Sequence, residues 1–473
     1  MKKEEQEENM KLKNLMKSYI GDKAFYKSAL AIAIPMIIQN AVTNLVNLLD
    51  NLMVGSLGTE QMSGVAIVNQ FIFVFNLAVF GAISGAGIFT AQFNGRGDVE
   101  GVRNTLRIKM IICAVIGFAG VGILLSFGDP LINAYLHEGT EGDLALTLLS
   151  GQKYLKFIVI GLIPFAMSQV YASTLRETGE TVVPMIASVA SIATNFIFNG
   201  LLIFGLFGFP ALGVAGAAIA TALSRFVELG ILVFYTHKNK EKCPFAVGVF
   251  KNFTIPTALI KQVIIKGTPI LMNELFWSLS VTISNQCYST RGLDVVAAMN
   301  ISFTLQNLLS VSYFALSSSI AIIVGNLLGA GKLEEAKDTD RKLLAFAVFV
   351  GCCMMGVQFA LSPVFPLLYK VGDSVRDLSS YIMICFGLTM PAAALATSTY
   401  YTIRSGGRVF VTMLFDSVYA WVIVMPVVFV LSYFTSLPFK YLLPIILVVE
   451  NLKLIPGLVL VHKGIWVRQL KVE

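Results

Sequence analysis

The chain has 473 residues, of which 56% are hydrophobic and only 13% are charged, and its mean hydropathy is +0.75. Soluble domains carry about 25% charged residues, so this composition excludes an ordinary cytosolic enzyme and a disordered protein. A bilayer core about 30 Å thick needs about 20 apolar residues per helix. Length and composition together therefore predict a membrane protein that crosses the bilayer many times.

Twelve long apolar segments follow one another along the chain. Each is continuous rather than alternating, which favours helices over the strands of a membrane barrel. The segments lie at 28–54, 62–91, 108–127, 152–174, 182–207, 211–236, 266–290, 295–327, 343–362, 378–403, 409–434 and 441–462. The sequence thus predicts an all-α membrane protein with twelve transmembrane helices, which we number 1 to 12.

Lysine and arginine concentrate in alternate connections between these helices. Basic clusters follow helices 2, 6 and 8; they include Arg103, Lys109, Lys240 and Lys337. The positive-inside rule places these connections, and both termini, in the cytosol. The net charge of +7 therefore reflects membrane topology and needs no nucleic-acid partner. Residues 1–27 carry charges of both signs without an apolar core, which is typical of a cytosolic segment and not of a secretory signal.

The second half of the sequence repeats the first at an offset of 234 residues. Pro35 then meets Pro269, and Gly97 meets Gly331. Each half holds six helices and begins on the same side, so we expect two six-helix lobes related by a pseudo-two-fold axis along the membrane normal. The predicted parts are a cytosolic N-terminal segment 1–27, an N-terminal lobe 28–236, an inter-lobe cytosolic linker 237–262, a C-terminal lobe 263–462 and a cytosolic tail 463–473.

Helix 1 carries a polar stripe at steps of three and four residues, and such a stripe is expected to face the lobe interior or a wet cavity. Its members are Asn40, Thr43, Asn44, Asn47, Asp50 and Asn51. Helix 5 offers Asn195 and Asn199 on one face, and helix 6 offers the Thr221 hydroxyl. A carboxylate among neutral oxygens can take up a proton or coordinate Na⁺. We therefore predict a cation site at Asp50, Asn195, Asn199 and Thr221, and the alternative is an Asp50 that is merely hydrogen-bonded within the bundle.

Other intramembrane charges fall into two groups. Arg225 and Glu228 stand three residues apart, as do Glu450 and Lys453, so each pair is predicted to neutralise itself on one helix face. Glu274 and Asp416 have no such local partner. Glu274 is a candidate for a second coupling or substrate-binding acid, and Asp416 either pairs with a neighbouring helix or is functional.

Two further sequence features bear on function. Gln306 belongs to a polar run that either lines a cavity or joins helices through hydrogen bonds. The segment Gly329–Lys332 is not a phosphate-binding loop, because Leu333 stands where serine or threonine is required. Energy must then come from an ion gradient, or the chain moves its cargo passively, and we expect no cofactor apart from H⁺ or Na⁺ as coupling ion.

Several segments resemble the multidrug and toxic compound extrusion (MATE) transporters. These are Ala33-Ile34-Pro35, the run VNLLDNLMVGSLG from Val46 to Gly58, GVAGAAIATALS from Gly213 to Ser224, and GNLLGAGK from Gly325 to Lys332. The resemblance spans both halves, essentially the whole chain after residue 25.

The resemblance implies two six-helix lobes facing each other in a V, which export cationic, often aromatic drugs in exchange for H⁺ or Na⁺. The family's helix 1 coupling acid matches Asp50, and its helix 5 polar pair matches Asn195 and Asn199. Pro35 matches a proline at which helix 1 is expected to bend. The NorM-like branch carries an acid on helix 7 at the position that Trp277 occupies here.

We therefore predict a monomeric secondary antiporter, without nucleic-acid partner, in a bacterial inner (plasma) membrane. It would export organic cations by alternating access of its two lobes. The predicted substrate cavity consists of Asn40, Thr43, Asn47, Glu274, Trp277 and Gln306. The alternatives are a flippase of the same superfamily for lipids or lipid-linked oligosaccharides, and a channel or a non-transporting membrane scaffold. A flippase for anionic lipids would favour basic residues in its cavity, and only Arg225 and Lys453 are intramembrane bases among the predicted helices.

Overall fold

A computed structural model describes residues 19–136, 143–251 and 254–471, and within these ranges it contains helices and no strand. Twelve long helices match the predicted segments. They are α1 Lys23–Gly55, α2 Thr59–Arg96, α3 Val99–Asn133, α4 Leu144–Glu177, α5 Val182–Phe204, α6 Val214–Lys238, α7 Thr257–Ser289, α8 Leu293–Gly329, α9 Leu333–Leu361, α10 Asp373–Ser405, α11 Val409–Tyr433 and α12 Phe439–His462. The predicted all-α membrane fold is confirmed.

Eleven of these twelve helices are long and apolar enough to cross a membrane. The exception is α7, because Lys266, Asn273 and Glu274 interrupt its apolar run. Two helices depart from regular α geometry: α4 contains a 3₁₀ turn at Val159–Gly161, and α11 is π-helical at Leu414–Val418 and Ala420–Val424. π-Helical segments are rare and recur at functional sites.

The helix ends explain some of the residues that the two halves share. Gly97 and Gly331 follow α2 and α8 and adopt positive φ angles of 73° and 77°. L-residues with a side chain rarely adopt this conformation, so glycine is required at both turns. Asp98 then begins α3 by accepting a hydrogen bond from the Gly101 backbone nitrogen at 2.8 Å.

The chain divides into two compact units. The N-terminal unit consists of Ile38–Asn94 and Asp98–Leu271. The C-terminal unit consists of the described residues up to Ile37, of Gly95–Gly97 and of Met272–Lys471. Helices α1 and α7 each pass from one unit to the other shortly after a proline, Pro35 in α1 and Pro269 in α7. The domain boundaries given in the sequence analysis stay a prediction.

The segment between α6 and α7 is held against α3 by two arginines in the N-terminal unit. Arg103 Nε donates to the Phe245 carbonyl oxygen at 3.2 Å, and Arg107 Nε donates to the Val249 carbonyl oxygen at 2.9 Å. Cys243 lies in this segment, and burial raises the pKa of its thiol to about 11. The thiol is therefore protonated, and weakly nucleophilic, at neutral pH.

Helices α2 and α4 approach closely at Gly64 in the N-terminal unit. A Cβ atom there would lie 2.5 Å from the Thr147 carbonyl oxygen and 2.8 Å from the Gly151 nitrogen. We expect Gly64→Ala to destabilise the fold by about 1–3 kcal/mol through overpacking, measured as a lower melting temperature of the purified protein. Gly122→Ala in α3 is the matched control, because a Cβ there has nothing within 4 Å. Equal melting temperatures for the two variants would contradict the tight approach.

A candidate cation site in the N-terminal unit

Helices α1, α5 and α6 bring the four residues of the predicted cation site together. Asn199 Nδ2 donates to Asp50 Oδ1 at 2.5 Å and to Asn195 Oδ1 at 3.1 Å, and Asn195 Nδ2 donates to Thr221 Oγ1 at 3.1 Å. Both asparagines are buried, and Asp50 is half-buried. We call Asp50, Asn195, Asn199 and Thr221 the Asp50 cluster.

The local sequence explains how α5 and α6 position this cluster. Asn195 and Asn199 are one turn apart and therefore share a face of α5. Gly216 lets α6 pack against the end of α5, since a Cβ there would lie 3.0 Å from the Ile203 nitrogen. Gly205 and Gly213 make the turn between the two helices with positive φ angles of 70° and 57°. The glycine-rich start of α6 is thus required by the close helix pairing.

The Asp50 cluster has the charge and the oxygen atoms that a cation needs. No described residue forms an ion pair with Asp50, and Asn199 Oδ1 is buried without a hydrogen-bond partner in the described part of the chain. A negative charge in an apolar environment is costly unless it is neutralised. Within the described ranges, no group of three or more His, Cys, Asp or Glu side chains is placed to hold a metal ion. Na⁺ would therefore bind here to one carboxylate and to neutral oxygens.

The Asn195 amide fits the cluster in two orientations. In the first, its oxygen lies 2.7 Å from Asp50 Oδ1, which is the geometry of a hydrogen bond donated by a protonated carboxyl. In the second, its nitrogen donates to Asp50 Oδ1 at 2.7 Å and to Oδ2 at 3.2 Å, while its oxygen accepts from the Thr221 hydroxyl at 3.1 Å. The second orientation suits an ionised Asp50, but it places the Asn195 and Asn199 amide nitrogens 3.1 Å apart and loses the hydrogen bond between these two side chains.

The N-terminal unit also contains a network of hydrogen-bonded polar side chains that was not predicted from the sequence. Gln39 Nε2 donates to Ser188 Oγ at 2.7 Å, and Ser188 Oγ donates to Glu228 Oε1 at 3.0 Å. Arg225 pairs with Glu228 at 3.4 Å, as their spacing predicted. Arg176 Nη1 donates to Gln39 Oε1 at 3.4 Å. Gln39 immediately precedes the polar stripe of α1. An amide side chain next to such a stripe is the sequence signal that could have predicted this hydrogen-bond network.

Lys109 belongs by sequence to the basic residues that follow the second predicted helix, and the structure shows that its side chain is fully buried. Helix α3 begins at Val99, ahead of the predicted segment, so Lys109 lies well inside the helix, and its cytosolic placement stays a prediction. Its Nζ lies 2.5 Å from Glu177 Oε2 and 3.2 Å from both Ser173 Oγ and Thr174 Oγ1. Lys109 therefore joins α3 to α4.

The predicted ion pair between Lys453 and Glu450 is not formed, although the two charges interact at longer range. Lys453 Nζ lies 2.9 Å from Asp416 Oδ1 in the C-terminal unit, whereas Glu450 is exposed and forms no ion pair within 4 Å among the described residues. Helices α11 and α12 share one hydrophobic cluster, which brings Asp416 and Lys453 side by side. Spacing along one helix cannot reveal this partner on another.

The predicted cavity residues Asn40 and Thr43 belong to the N-terminal unit. Asn40 is exposed, and the Thr43 hydroxyl donates to the carbonyl oxygen of Gln39 in its own helix at 2.8 Å. The side chain of Asn47 lies outside the described residues. Pro35 is buried within a continuous α1, and the bend expected there stays a prediction.

The other predicted cavity residues belong to the C-terminal unit. Glu274 is half-buried one turn before Trp277, which is 46% exposed on α7. Gln306 Oε1 is buried and has no hydrogen-bond partner in the part of the chain that the structure describes. That these residues line one cavity with Asn40 and Thr43 stays a prediction.

Comparisons with known proteins find similarity over nearly the whole chain. The family described as MatE matches residues 35–201 and 269–431, one match in each repeat. The chain is 27% identical over 412 residues to a probable multidrug resistance protein NorM of Thermotoga maritima, covering 86% of this chain and 85% of that protein. It is 26% identical over 423 residues to a protein of the same name from Listeria monocytogenes, covering 88% and 90%. The solved structure of an outward-facing multidrug resistance MATE family transporter of the MOP superfamily has a TM-score of 0.83 at 19% identity, covering 95% of this chain and 97% of that chain.

Proposed function

The chain belongs to the MatE family, the MATE transporters, and we propose that it is a secondary active antiporter that exports organic cations in exchange for H⁺ or Na⁺. It is a membrane transporter rather than an enzyme. Its relatives NorM are bacterial proteins, and we propose a bacterial inner membrane. The distribution of basic residues favours a cytosolic position for both termini.

The observation that carries the proposal is the Asp50 cluster. It combines a carboxylate that has no ion pair among the described residues with the buried, unpartnered oxygen of Asn199. In a membrane protein, an acid of this kind marks an ion pathway by default. A cation bound at Asp50 would neutralise the carboxylate, and it would be coordinated by the unpartnered amide oxygen of Asn199.

Ion binding can drive export only if the cation binds one conformation better than another. We propose that a cation entering from outside occupies Asp50 and favours the conformation that releases substrate. Departure of that cation to the cytosol then restores the conformation that takes up substrate.

The contacts of two bases in the long helices, Arg225 and Lys453, weigh against a flippase for anionic lipids. Arg225 pairs with Glu228 and Lys453 pairs with Asp416, so both bases are neutralised within the protein. An anionic headgroup would have to compete with these carboxylates.

The proposed function is tested by transport in proteoliposomes. Purified protein is reconstituted, an H⁺ or a Na⁺ gradient is imposed one at a time, and the movement of ethidium, an aromatic cation, is followed by fluorescence. We expect one of the two gradients to drive ethidium against its own gradient. Equal transport with and without either gradient would reject ion-coupled antiport.

Asn199→Leu is expected to change binding of the coupling ion, with a sign that depends on the ion. Loss of the unpartnered amide oxygen weakens binding of Na⁺, whereas loss of the donor 2.5 Å from Asp50 destabilises the ionised carboxylate and strengthens binding of H⁺. Hydrogen bonds to charged groups contribute about 1.5–3 kcal/mol, which corresponds to about a tenfold to hundredfold change in affinity. The measurement is the ion concentration that gives half-maximal ethidium transport. Asn133→Leu, at the exposed end of α3, is the matched control, and an unchanged half-maximal concentration in Asn199→Leu would exclude its role at the site.

A further inference from the structure

The C-terminal unit contains an acid whose two carboxylate oxygens are both occupied. Asp416 Oδ1 lies 2.9 Å from Lys453 Nζ, and Asp416 Oδ2 accepts from Asn273 Nδ2 at 3.1 Å. The Asn273 amide is fixed in this orientation because its own oxygen accepts from Ser417 Oγ at 2.6 Å. The side chains of Asp416 and Lys453 are each 20% exposed. The acid is thus accessible, but its charge is already compensated from within the chain.

The acids of the two units therefore differ in whether a basic side chain lies in direct contact with them. Asp50 forms no ion pair within 4 Å with a described residue and interacts with Arg225 only at longer range, whereas Asp416 has the Lys453 ammonium at 2.9 Å. The residue 234 positions after Asp50 is Ser284, whose hydroxyl donates to Met425 Sδ at 3.4 Å. The C-terminal unit thus has no acid at the position equivalent to Asp50.

Three further charged side chains, Glu274, Arg404 and Glu450, interact with this ion pair or with each other. Glu274 interacts electrostatically with Arg404 and with Asp416, and Glu450 interacts with Lys453 from an exposed position on α12. Each of the half-buried acids, Glu274 and Asp416, therefore has a basic partner within the C-terminal unit.

We propose that Lys453 is a built-in cation that sets the number of ions exchanged per transport cycle. Its tethered ammonium occupies Asp416 in place of an ion from solution, so that the ion coupled to export binds at the Asp50 cluster alone. A tethered group competes strongly because it is always present at high effective concentration and loses little freedom on binding. Lys453 thereby determines the coupling ratio, and this role rests on the proposed antiport.

Lys453→Gln tests the assignment, because it removes the charge and keeps a polar side chain. Asp416 is then left without its cation, and we expect it to bind the coupling ion itself. In proteoliposomes, the ethidium gradient that exactly balances an imposed ion gradient gives the number of ions per substrate. This ratio is expected to rise by one ion per substrate in Lys453→Gln. A ratio equal to that of the unsubstituted protein would overturn the proposal.

Two further variants keep the test decisive if Lys453→Gln folds poorly. Asp416→Asn combined with Lys453→Gln replaces the ion pair by two neutral side chains, and it is expected to transport with the unsubstituted ratio; a changed ratio would overturn the role of Lys453. Glu450→Gln removes the exposed neighbouring acid and is expected to leave the ratio unchanged, whereas a lower ratio would move the coupling site to Glu450. If the unsubstituted protein shows no ion-driven transport at all, the antiport proposal fails, and this result is distinct from an unchanged ratio in Lys453→Gln.

Discussion

Asp50→Asn is expected to reduce ion-driven ethidium transport to the level of vesicles without protein. Asparagine keeps the size and hydrogen-bonding capacity of the side chain at this position, so the contact with Asn199 can persist. It cannot release a proton, and it offers a cation no negative charge. Since no ion pair joins Asp50 to another described residue, its neutralisation leaves no base unpaired, and the melting temperature is expected to stay within a few degrees.

The matched control is Asp129→Asn, the same substitution at an exposed position near the end of α3. It is expected to transport like the unsubstituted protein. Retention of gradient-driven transport in Asp50→Asn, at a rate similar to that of Asp129→Asn, would remove Asp50 from the coupling mechanism.

Lys109→Met is expected to destabilise the N-terminal unit strongly. Lys109 is fully buried, and its ammonium contacts the Glu177 carboxylate and two hydroxyl groups. Methionine fills a similar volume but leaves the mostly buried Glu177 without this basic partner. Breaking a buried ion pair from one side costs about 3–5 kcal/mol. The measurement is thermal unfolding of the purified protein, in which we expect a clearly lower melting temperature.

Lys337→Met serves as the control for Lys109→Met, because it breaks an ion pair of similar type at the surface. Lys337 pairs with Glu334 at 2.7 Å, and the Glu334 side chain is 85% exposed. Surface pairs contribute about 0–1 kcal/mol, so little change is expected. If the melting temperatures of the two variants fall equally, the buried pair does not have the assigned structural role. If the Lys109→Met protein regains stability when Glu177→Gln is added, the penalty is confirmed as electrostatic.

The fold and much of the cation site could be predicted from the sequence, because both depend on local patterns. Continuous apolar segments specify membrane helices, and the spacing of Asn195 and Asn199 places them on one face of α5 whatever lies opposite. Asp50 could be singled out because an acid in an apolar segment is costly wherever it points. The number of helices could be predicted without knowing how the helices pack against one another.

Contacts between helices could not be predicted in the same way. Lys453 has Glu450 one turn away in its own helix, yet it pairs with Asp416 on α11. Lys109 follows Arg103 and Arg107 in sequence, but it is fully buried and pairs with Glu177 on α4. In both cases the partner is determined by which helices pack together, and neither hydropathy nor spacing along one segment contains that information.

The most direct test of the central claim measures the charge state of Asp50 itself. Infrared difference spectra of the purified protein are recorded while the coupling ion is added and removed. The account predicts a carboxylate band that changes with ion occupancy in the unsubstituted protein and in Asp129→Asn, and that is missing in Asp50→Asn. An ion-dependent carboxylate band of the same size in Asp50→Asn would contradict it.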